Sequence, residues 1–273
     1  MNKLLFVLGF IAATGLSAVQ TPVFIAHRGE SKEAPENTKP AYQMAVDRGF
    51  GFECDVYLSS DKRVFSFHDS NLKRTTGVDM PCSKASWTDL VSKIDAGAWK
   101  GNQWKGVRPA LLEEILELAR DGKYIYIEIK SGPEIIPYVK EIFAKQKNAT
   151  PKNALFICFS KEVCSELRKQ MPEYKVYWLV GSYKGRGDKR TPVTAEEILA
   201  ALKETNAHGV DMHFDPKVVT AEMIKKVRDA GYEFHVWTVD KVELSLLATS
   251  RGAQSVTTNC AKEQADAIKA MNK

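Results

Sequence analysis

Two acidic residues, Glu53 and Asp55, are the first residues in the sequence whose types and spacing could carry out chemistry. They stand two positions apart in the apolar run FGFECDVYL. Residues i and i+2 of a strand face the same side, so the two carboxylates share one face. Two unpaired carboxylates on a buried face would repel each other and would be costly to desolvate. The pattern therefore indicates either a bound cation or a solvated edge strand.

A third acidic residue, Glu128, lies near the end of the later run YIYIEIK. Its alternation predicts that the isoleucines face surrounding helices and that Glu128 and Lys130 point inward. Three carboxylates give an all-oxygen ligand set, which suits one divalent cation, Mg²⁺ or Ca²⁺, and argues against zinc. Lys130 would neutralise a phosphate bridging to that cation. The alternative is a Glu128–Lys130 pair that satisfies itself.

Two histidines, His27 and His68, follow strand-like runs that flank the acidic pair in the sequence. Because imidazole can donate and accept protons near neutral pH, we predict that they form a general acid–base pair in unassigned order. Arg28, beside the first histidine, can fork onto phosphate oxygens. A G-x-S-x-G motif is absent and no cysteine stands beside a plausible base. We therefore expect chemistry without a covalent enzyme intermediate.

Alternating strand-like and helix-like segments must position these side chains. The pattern recurs eight times after the N-terminus, and it predicts a (β/α)₈ TIM barrel as one domain, residues 19–273. Residues 70–107 interrupt this rhythm and are predicted to be a small insertion after the second strand, forming a packed cap and one wall of the cleft. The predicted strands are residues 23–26, 51–57 with 64–67, 124–129, 154–159, 175–180, 209–213, 233–239 and 254–258.

The N-terminal residues 1–18 carry one lysine, an apolar run and small residues at 17 and 18. This pattern predicts a bacterial-type signal peptide and an exported protein, periplasmic or secreted, with no stable membrane span after cleavage. The alternative is an N-terminal membrane anchor. The net charge of +5 is too modest for nucleic-acid binding. Five scattered cysteines do not imply a disulfide framework, and no feature sets the oligomeric state.

Five short motifs stand in order in the first part of the chain: His27-Arg28-Gly29, Glu36-Asn37-Thr38, Glu53-x-Asp55, His68-Asp69 and Arg74-Thr75-Thr76-Gly77. Taken together they resemble the glycerophosphodiester phosphodiesterase family. The resemblance implies a small-molecule substrate, a glycerophosphodiester, hydrolysed with metal dependence to sn-glycerol 3-phosphate and an alcohol. The attacking group would be water or the substrate's own glycerol hydroxyl, which would give a cyclic phosphate.

The later chain adds weaker points of likeness to the same family. Phe159 stands where the family has an aromatic at the substrate site, and Trp237 begins a Trp-Thr-Val-Asp turn. We predict that both line the substrate site together with His213, although Trp237 as a core residue is the alternative. Asp240 and Asn259 depart from the family, which has Asn and Asp at these positions.

Two other functions remain open at this point. One is a lipid-active phosphodiesterase of (lyso)phospholipase D or C type on the same barrel, which requires an exposed apolar rim at the mouth. The other is a non-catalytic barrel that binds phosphoglycerol, which requires the loss of a catalytic group. All seven polar residues proposed for the chemistry are present in the sequence.

Overall fold

Strands and helices alternate along the protein in a computed structural model that describes residues 20–273. The predicted signal peptide, residues 1–18, lies outside the described residues. The strands, in chain order, are β1 (Phe24–Ala26), β2 (Gly51–Leu58), β3 (Val64–Ser66), β4 (Ile125–Ile129), β5 (Ala154–Cys158), β6 (Lys175–Val180), β7 (Tyr183–Lys184), β8 (Thr191–Pro192), β9 (Gly209–His213), β10 (Glu233–Trp237) and β11 (Val256–Thr258).

Eight of these strands form a closed parallel barrel, in the order β1-β2-β4-β5-β6-β9-β10-β11. The barrel closes because β1 pairs with both β2 and β11. The predicted TIM barrel is therefore confirmed. Strand β3 is an antiparallel extension that pairs with the second half of β2. In this order β9 lies on the opposite side of the barrel from β2.

The helices pack around the barrel with their apolar faces against the outward-facing strand residues. Two of them begin with a threonine that accepts a hydrogen bond from the third helical residue, Thr194 and Thr220. The helices are α1 (Lys39–Asp47), α2 (Lys73–Thr76), α3 (Leu112–Leu116), α4 (Ile136–Lys145), α5 (Lys161–Gln170), α6 (Ala195–Thr205), α7 (Ala221–Asp229), α8 (Val242–Ser250) and α9 (Ala261–Met271).

Side-chain alternation along the strands divides the apolar residues into an outer and an inner group. The isoleucines of β4 belong to the outer core, whereas Tyr126 belongs to the cluster inside the barrel. This division is what the alternation in YIYIEIK predicts. The sequence pattern of residues 111–120, closed by Gly122, predicts a helix over that whole range. Helix α3 is shorter, because Leu118 and Ala119 form i→i−3 hydrogen bonds that end the regular helix.

Residues 70–107 contain α2 and four short 3₁₀ turns. They enclose an apolar cluster of their own, in which Phe65, Leu72, Trp87 and Val91 are buried. Trp99 differs from these residues, because 43% of its surface is exposed. The segment therefore contains both a packed layer and an exposed aromatic side chain.

All five cysteines are free and buried. Cys54 and Cys158 lie in the main core, as their apolar surroundings in the sequence predict. The sulfur atoms of Cys158 and Cys164 are 2.9 Å apart. Among residues 20–273, none of the helices has the length and apolar character that crossing a bilayer requires.

Candidate active site

The three acidic residues converge at the carboxyl ends of two neighbouring strands. Asp55 of β2 is directly opposite Glu128 of β4 in the parallel register, and Glu53 precedes Asp55 on the same inward face. One carboxylate oxygen from each of the three lies within 4.8 Å of the others. All three side chains are buried. The structure thus brings together the residues that the sequence predicted as a cation site.

These carboxylates lack some of the hydrogen bonds that buried acids normally accept. Glu53 Oε1 and Asp55 Oδ1 are buried and accept no hydrogen bond from the described residues. Burial and the neighbouring acids raise the pKa of Glu53 and of Glu128. Three buried carboxylates this close together are unfavourable unless positive charge neutralises them. Three converging oxygen donors, two of which accept no hydrogen bond, fit a hard divalent cation.

Asn37 orients Asp55 by a hydrogen bond to one carboxylate oxygen, and the other oxygen, Oδ1, accepts no hydrogen bond within residues 20–273. Asn37 Nδ2 donates to Asp55 Oδ2 over 2.7 Å, and Asn37 Oδ1 accepts from Tyr42 over 2.8 Å. Asn37 has φ +57°, a left-handed conformation that asparagine tolerates better than most residues. Glu53 is held similarly, because the Arg28 backbone N–H donates to its Oε2 over 2.8 Å.

Two cations lie beside the carboxylate cluster. Lys130 Nζ is 2.8 Å from Glu128 Oε1 and 3.4 Å from Asp55 Oδ1. The predicted Glu128–Lys130 pair is therefore present, within the cluster rather than instead of it. Although burial opposes it, the two acids raise the pKa of Lys130, so its ammonium stays charged. Arg28 Nη1 donates to Glu36 over 2.8 Å, and its Nε is 3.5 Å from Asp55.

His27 directly follows β1, with one ring nitrogen toward the acids and the other held from behind. Its Nε2 is 3.9 Å from Glu53 Oε2, and its Nδ1 is 2.7 Å from Asn259 Oδ1. Asp240 accepts from both the backbone N–H and the Nδ2 of Asn259, which fixes the amide so that its oxygen faces the imidazole. His27 therefore donates through Nδ1. Burial, and next the Arg28 guanidinium, lower the pKa of His27 to about 4.

His68 lies just beyond β3 and is held by Asp69, which is itself held by Arg74. His68 Nδ1 is 2.6 Å from Asp69 Oδ1, and Arg74 Nε donates to the other Asp69 oxygen over 2.6 Å. The Arg74 hydrogen bond, with a further contribution from His68, lowers the pKa of Asp69 to about 2. Because the ionised carboxylate only accepts hydrogen bonds, His68 carries its proton on Nδ1 and presents Nε2 to the cavity.

An inner cavity of about 170 Å³ connects these groups with the far wall of the barrel. Phe159 and Trp237 lie on this far wall, with ring centroids 5.6 Å apart in an edge-to-face arrangement. The residues that line the inner cavity are His27, Arg28, Glu53, His68, Glu128, Lys130, Ile157, Phe159, Asp211, Trp237, Thr238 and Thr257.

His213, which was predicted beside the two aromatic residues, lies at the rim instead of in this wall. Its ring packs against Trp237 at a centroid distance of 5.4 Å. Its Nδ1 is 3.1 Å from the Ser182 hydroxyl. The strand alternation places His213 on the same side as Asp211 but one layer nearer solvent, so Trp237 separates it from the inner cavity.

A second, more open compartment adjoins the inner cavity, and we call it the outer cleft. Its volume is about 490 Å³, and it shares His27 and Arg28 with the inner cavity. Trp99 and Lys100, from residues 70–107, form part of its wall. Lys100 is anchored there because its Nζ donates to the Ser31 carbonyl over 2.7 Å.

Comparison with known proteins identifies the family. The model of the glycerophosphoryl diester phosphodiesterase family matches residues 27–263. The chain belongs to this family. It is 28% identical to a glycerophosphodiester phosphodiesterase of Caldanaerobacter subterraneus subsp. tengcongensis over 223 residues, 80% of this chain and 86% of that one. It is 29% identical to a glycerophosphodiester phosphodiesterase of Bacillus subtilis over 235 residues, 79% and 76% of the two chains.

The fold and the enzyme class are supported by a solved relative as well. A phosphodiesterase from Oleispira antarctica, in complex with its product sn-glycerol-3-phosphate, superposes with a TM-score of 0.79 and 25% identity. The alignment covers 91% of this chain and 97% of that chain. This member of the family is therefore a phosphodiesterase enzyme with a TIM-barrel fold.

Sequence reasoning missed three residues that contribute to the site. Asn37 belongs to the Glu36-Asn37-Thr38 motif, but nothing in its neighbourhood predicts the contact with Asp55. Asn259 differs from the family pattern, which predicts no role for it, yet together with Asp240 it holds His27. Asp211 could have been found from the sequence, because it is an acidic residue at an inward position of a predicted strand.

Proposed function

We propose that the protein hydrolyses glycerophosphodiesters to sn-glycerol 3-phosphate and an alcohol, with one divalent cation held by Glu53, Asp55 and Glu128. The observation that carries this proposal is the convergence of three buried, partly unpaired carboxylates within 4.8 Å, beside two imidazoles and two cationic side chains. When bound, Mg²⁺ or Ca²⁺ would supply Lewis-acid polarisation of a non-bridging phosphate oxygen.

The side chains around the cavity perform the remaining tasks. Arg28 and Lys130 neutralise the negative charge of the phosphoryl group, which grows in the transition state. His27 and His68 each present Nε2 toward the cavity, because Nδ1 is engaged by Asn259 or by Asp69. One imidazole removes the proton from the attacking hydroxyl, and the other protonates the leaving alcohol. The attacking hydroxyl belongs to water or to the glycerol itself.

A water-soluble diester fits the exposed surface better than a lipid does. The large apolar side chains that are exposed in the described chain are Val23, Trp99, Phe159 and Met271. Of these, Trp99 borders the outer cleft and Phe159 the inner cavity. Trp87, another candidate for an apolar rim, is 6% exposed. A lipid-active phosphodiesterase would present a broader apolar rim to the bilayer.

The function is tested by measuring release of sn-glycerol 3-phosphate from glycerophosphocholine and glycerophosphoethanolamine. We expect turnover that stops on treatment with a chelator and returns when Mg²⁺ or Ca²⁺ is added back. Lysophosphatidylcholine carried in phospholipid vesicles serves as the comparison substrate and should be cleaved more slowly. Faster cleavage of this lipid would favour the lipid-active alternative, and turnover that resists the chelator would remove the metal from the mechanism.

Export of the protein is also part of the proposal, and it rests on the composition of residues 1–18. Expression of the full chain in a Gram-negative host, followed by fractionation and N-terminal sequencing, tests it. We expect a periplasmic or secreted product that begins near residue 19. A product that keeps Met1 and stays with the cell membrane would support the membrane-anchor alternative.

A further inference from the structure

Asp211 is a buried acid in the inner cavity that the proposed mechanism does not use. It lies in the middle of β9, across the barrel from the carboxylates of β2. The residue is 1% exposed, and its side chain forms part of the cavity wall. Its Oδ1 is buried and accepts no hydrogen bond from any described residue. Its backbone carbonyl accepts from Trp237 Nε1 over 3.0 Å, which fixes the strand and the aromatic ring together.

A buried carboxyl group without a partner costs free energy, so its presence calls for a ligand. The cationic side chains of the cavity do not serve it, because Arg28 and Lys130 pair with Asp55, Glu36 and Glu128. Burial, reinforced by Glu128, raises the pKa of Asp211 well above its usual range. This shift favours the neutral acid, which offers one hydroxyl donor and one carbonyl acceptor to the cavity that Asp211 lines.

The two compartments of the site differ in a way that assigns the parts of the substrate. His27 and Arg28 line both compartments, which favours their junction as the binding position of a phosphate. The inner cavity is small, about 170 Å³, and the outer cleft is larger and open, about 490 Å³. A constant three-carbon unit suits the inner cavity, and an alcohol of variable size suits the outer cleft.

We propose that Asp211 binds the terminal hydroxyl of the glycerol unit, so that the inner cavity selects glycerol and the outer cleft takes the leaving alcohol. This inference rests on the proposed function. The three-carbon chain extends from the phosphate beside Arg28 and Lys130 to the opposite wall. Phe159 and Trp237 pack against its carbon atoms, and Asp211 exchanges hydrogen bonds with its last hydroxyl. Asp211 is thus a specificity residue rather than a catalytic one.

The test compares glycerophosphocholine with the phosphocholine ester of propane-1,2-diol, which keeps the 2-hydroxyl and lacks only the terminal one. For the wild-type protein we expect kcat/KM to favour glycerophosphocholine by about 100-fold, because the deoxy analogue leaves the buried Asp211 carboxyl group unpaired. In D211L the preference should fall below about threefold, through loss of activity on glycerophosphocholine alone. D211N retains a donor and an acceptor and should keep most of the preference.

Two controls separate specificity from folding. D215L changes an acid four positions later, outside the inner cavity, and should leave the preference unchanged. D211L should unfold at the same temperature as the wild type or a higher one, because leucine removes an unpaired polar group. If D211L does not fold, D211A takes its place in the comparison. A folded variant that keeps the wild-type preference, or that loses activity on both esters equally, would overturn the assignment of Asp211.

A binding measurement distinguishes failure of this inference from failure of the proposed function. Calorimetric titration with sn-glycerol 3-phosphate and with propane-1,2-diol 1-phosphate requires no turnover. We expect tighter binding of the glycerol compound to the wild type and nearly equal binding to D211L. Equal binding of both to the wild type would refute the role of Asp211 whether or not diesters are cleaved. p-Nitrophenyl phosphocholine contains the choline ammonium group but no glycerol. If D211L lost activity selectively on this ester, Asp211 would be assigned to the ammonium group, and its proposed role in binding glycerol would be refuted.

Discussion

The two ends of the barrel both place acidic residues on inward-facing strand positions, but the acids differ in their hydrogen-bond partners. At the amino-terminal end, Glu233 accepts a hydrogen bond from the Tyr177 hydroxyl over 2.9 Å, and Lys175 Nζ is 2.8 Å from its other oxygen. At the carboxyl-terminal mouth, Glu53 and Asp55 each keep a buried oxygen without a hydrogen bond.

The pKa values of Glu233 and Glu53 follow the same division. That of Asp55 does not, because, although burial raises it, Lys130 and then Arg28 lower it. Although burial raises it, hydrogen bonds from His235, Lys175 and Tyr177 lower the pKa of Glu233 to about 2. At the mouth, burial and the neighbouring Asp55 raise the pKa of Glu53. An acid whose partners are all present stabilises the fold, whereas an acid left without partners is kept for a ligand. Among these inward-facing acids, a full set of hydrogen bonds accompanies the structural role, and a buried oxygen without a hydrogen bond accompanies the functional one.

The largest expected effect comes from exchanging acids at the two ends of the barrel for their amides. Asp55→Asn and Glu128→Gln should each lower kcat/KM for glycerophosphocholine by about 10³-fold, since a bound metal supplies several kcal/mol of transition-state stabilisation. Glu233→Gln, the matched control, should leave kcat/KM within about twofold but lower the unfolding temperature by several degrees. Equal loss of activity in all three variants would break the distinction between the two ends.

Removal of either imidazole at the mouth should have the next largest effect. We expect His27→Ala and His68→Ala to lower kcat by about 10²- to 10⁴-fold, the usual contribution of a general acid or base. His208→Ala is the control, because His208 accepts from the Val176 backbone N–H at the amino-terminal end. Steady-state assays of the folded variants check this. An active His68→Ala variant would point to a different catalytic centre.

A smaller effect is expected from the residue that holds His27. Asn259→Ala removes the acceptor for the Nδ1 proton, and it should lower kcat about tenfold with little change in KM, as for loss of one buried hydrogen bond. Nitrogen-15 spectra of the five histidines should show only the Nδ1–H tautomer of His27 in the wild type and a mixture of the two tautomers in Asn259→Ala. Asn148→Ala, far from the cavity, is the control. Unchanged spectra with lowered activity would contradict this positioning role.

The smallest effect concerns stability in acid. The folded-state pKa of Glu233, about 2, lies below its ordinary value of 4.5. Its stabilising contribution is therefore complete above about pH 5 and is lost as the pH falls toward 2. Denaturant unfolding between pH 6 and pH 2.5 should show a loss from this group of about 2 kcal/mol. Glu233→Gln should reduce the slope in this range, and an unchanged slope would argue against the satisfied network.

Local pattern predicts the parts of the fold and site that depend on neighbouring residues. The alternation in YIYIEIK places Glu128 and Lys130 inside the barrel and the isoleucines outside, as the structure shows. The acids of β2 and β4 meet because parallel strands bring their carboxyl ends to one rim. Both features follow from strand periodicity and barrel topology, so a single sequence is sufficient to predict them.

Contacts between distant side chains could not be predicted in this way. Asn259 is 232 positions from His27, and its contact depends on closure of the barrel between β11 and β1. The shortened helix α3 and the rim position of His213 depend on packing that no periodicity describes. Asp211 shows the same limit, because its inward position is predictable but its lack of a partner depends on every surrounding side chain.

The most direct test of the central claim is a crystal structure of the protein grown with Ca²⁺ and sn-glycerol 3-phosphate. We predict one ion bonded to an oxygen of each of Glu53, Asp55 and Glu128, at the 2.3–2.6 Å typical of calcium–carboxylate bonds, with the phosphate between this ion and Arg28. A phosphate bound at the mouth with no ion between the three acids, in a protein that cleaves the diester without metal, would contradict the account.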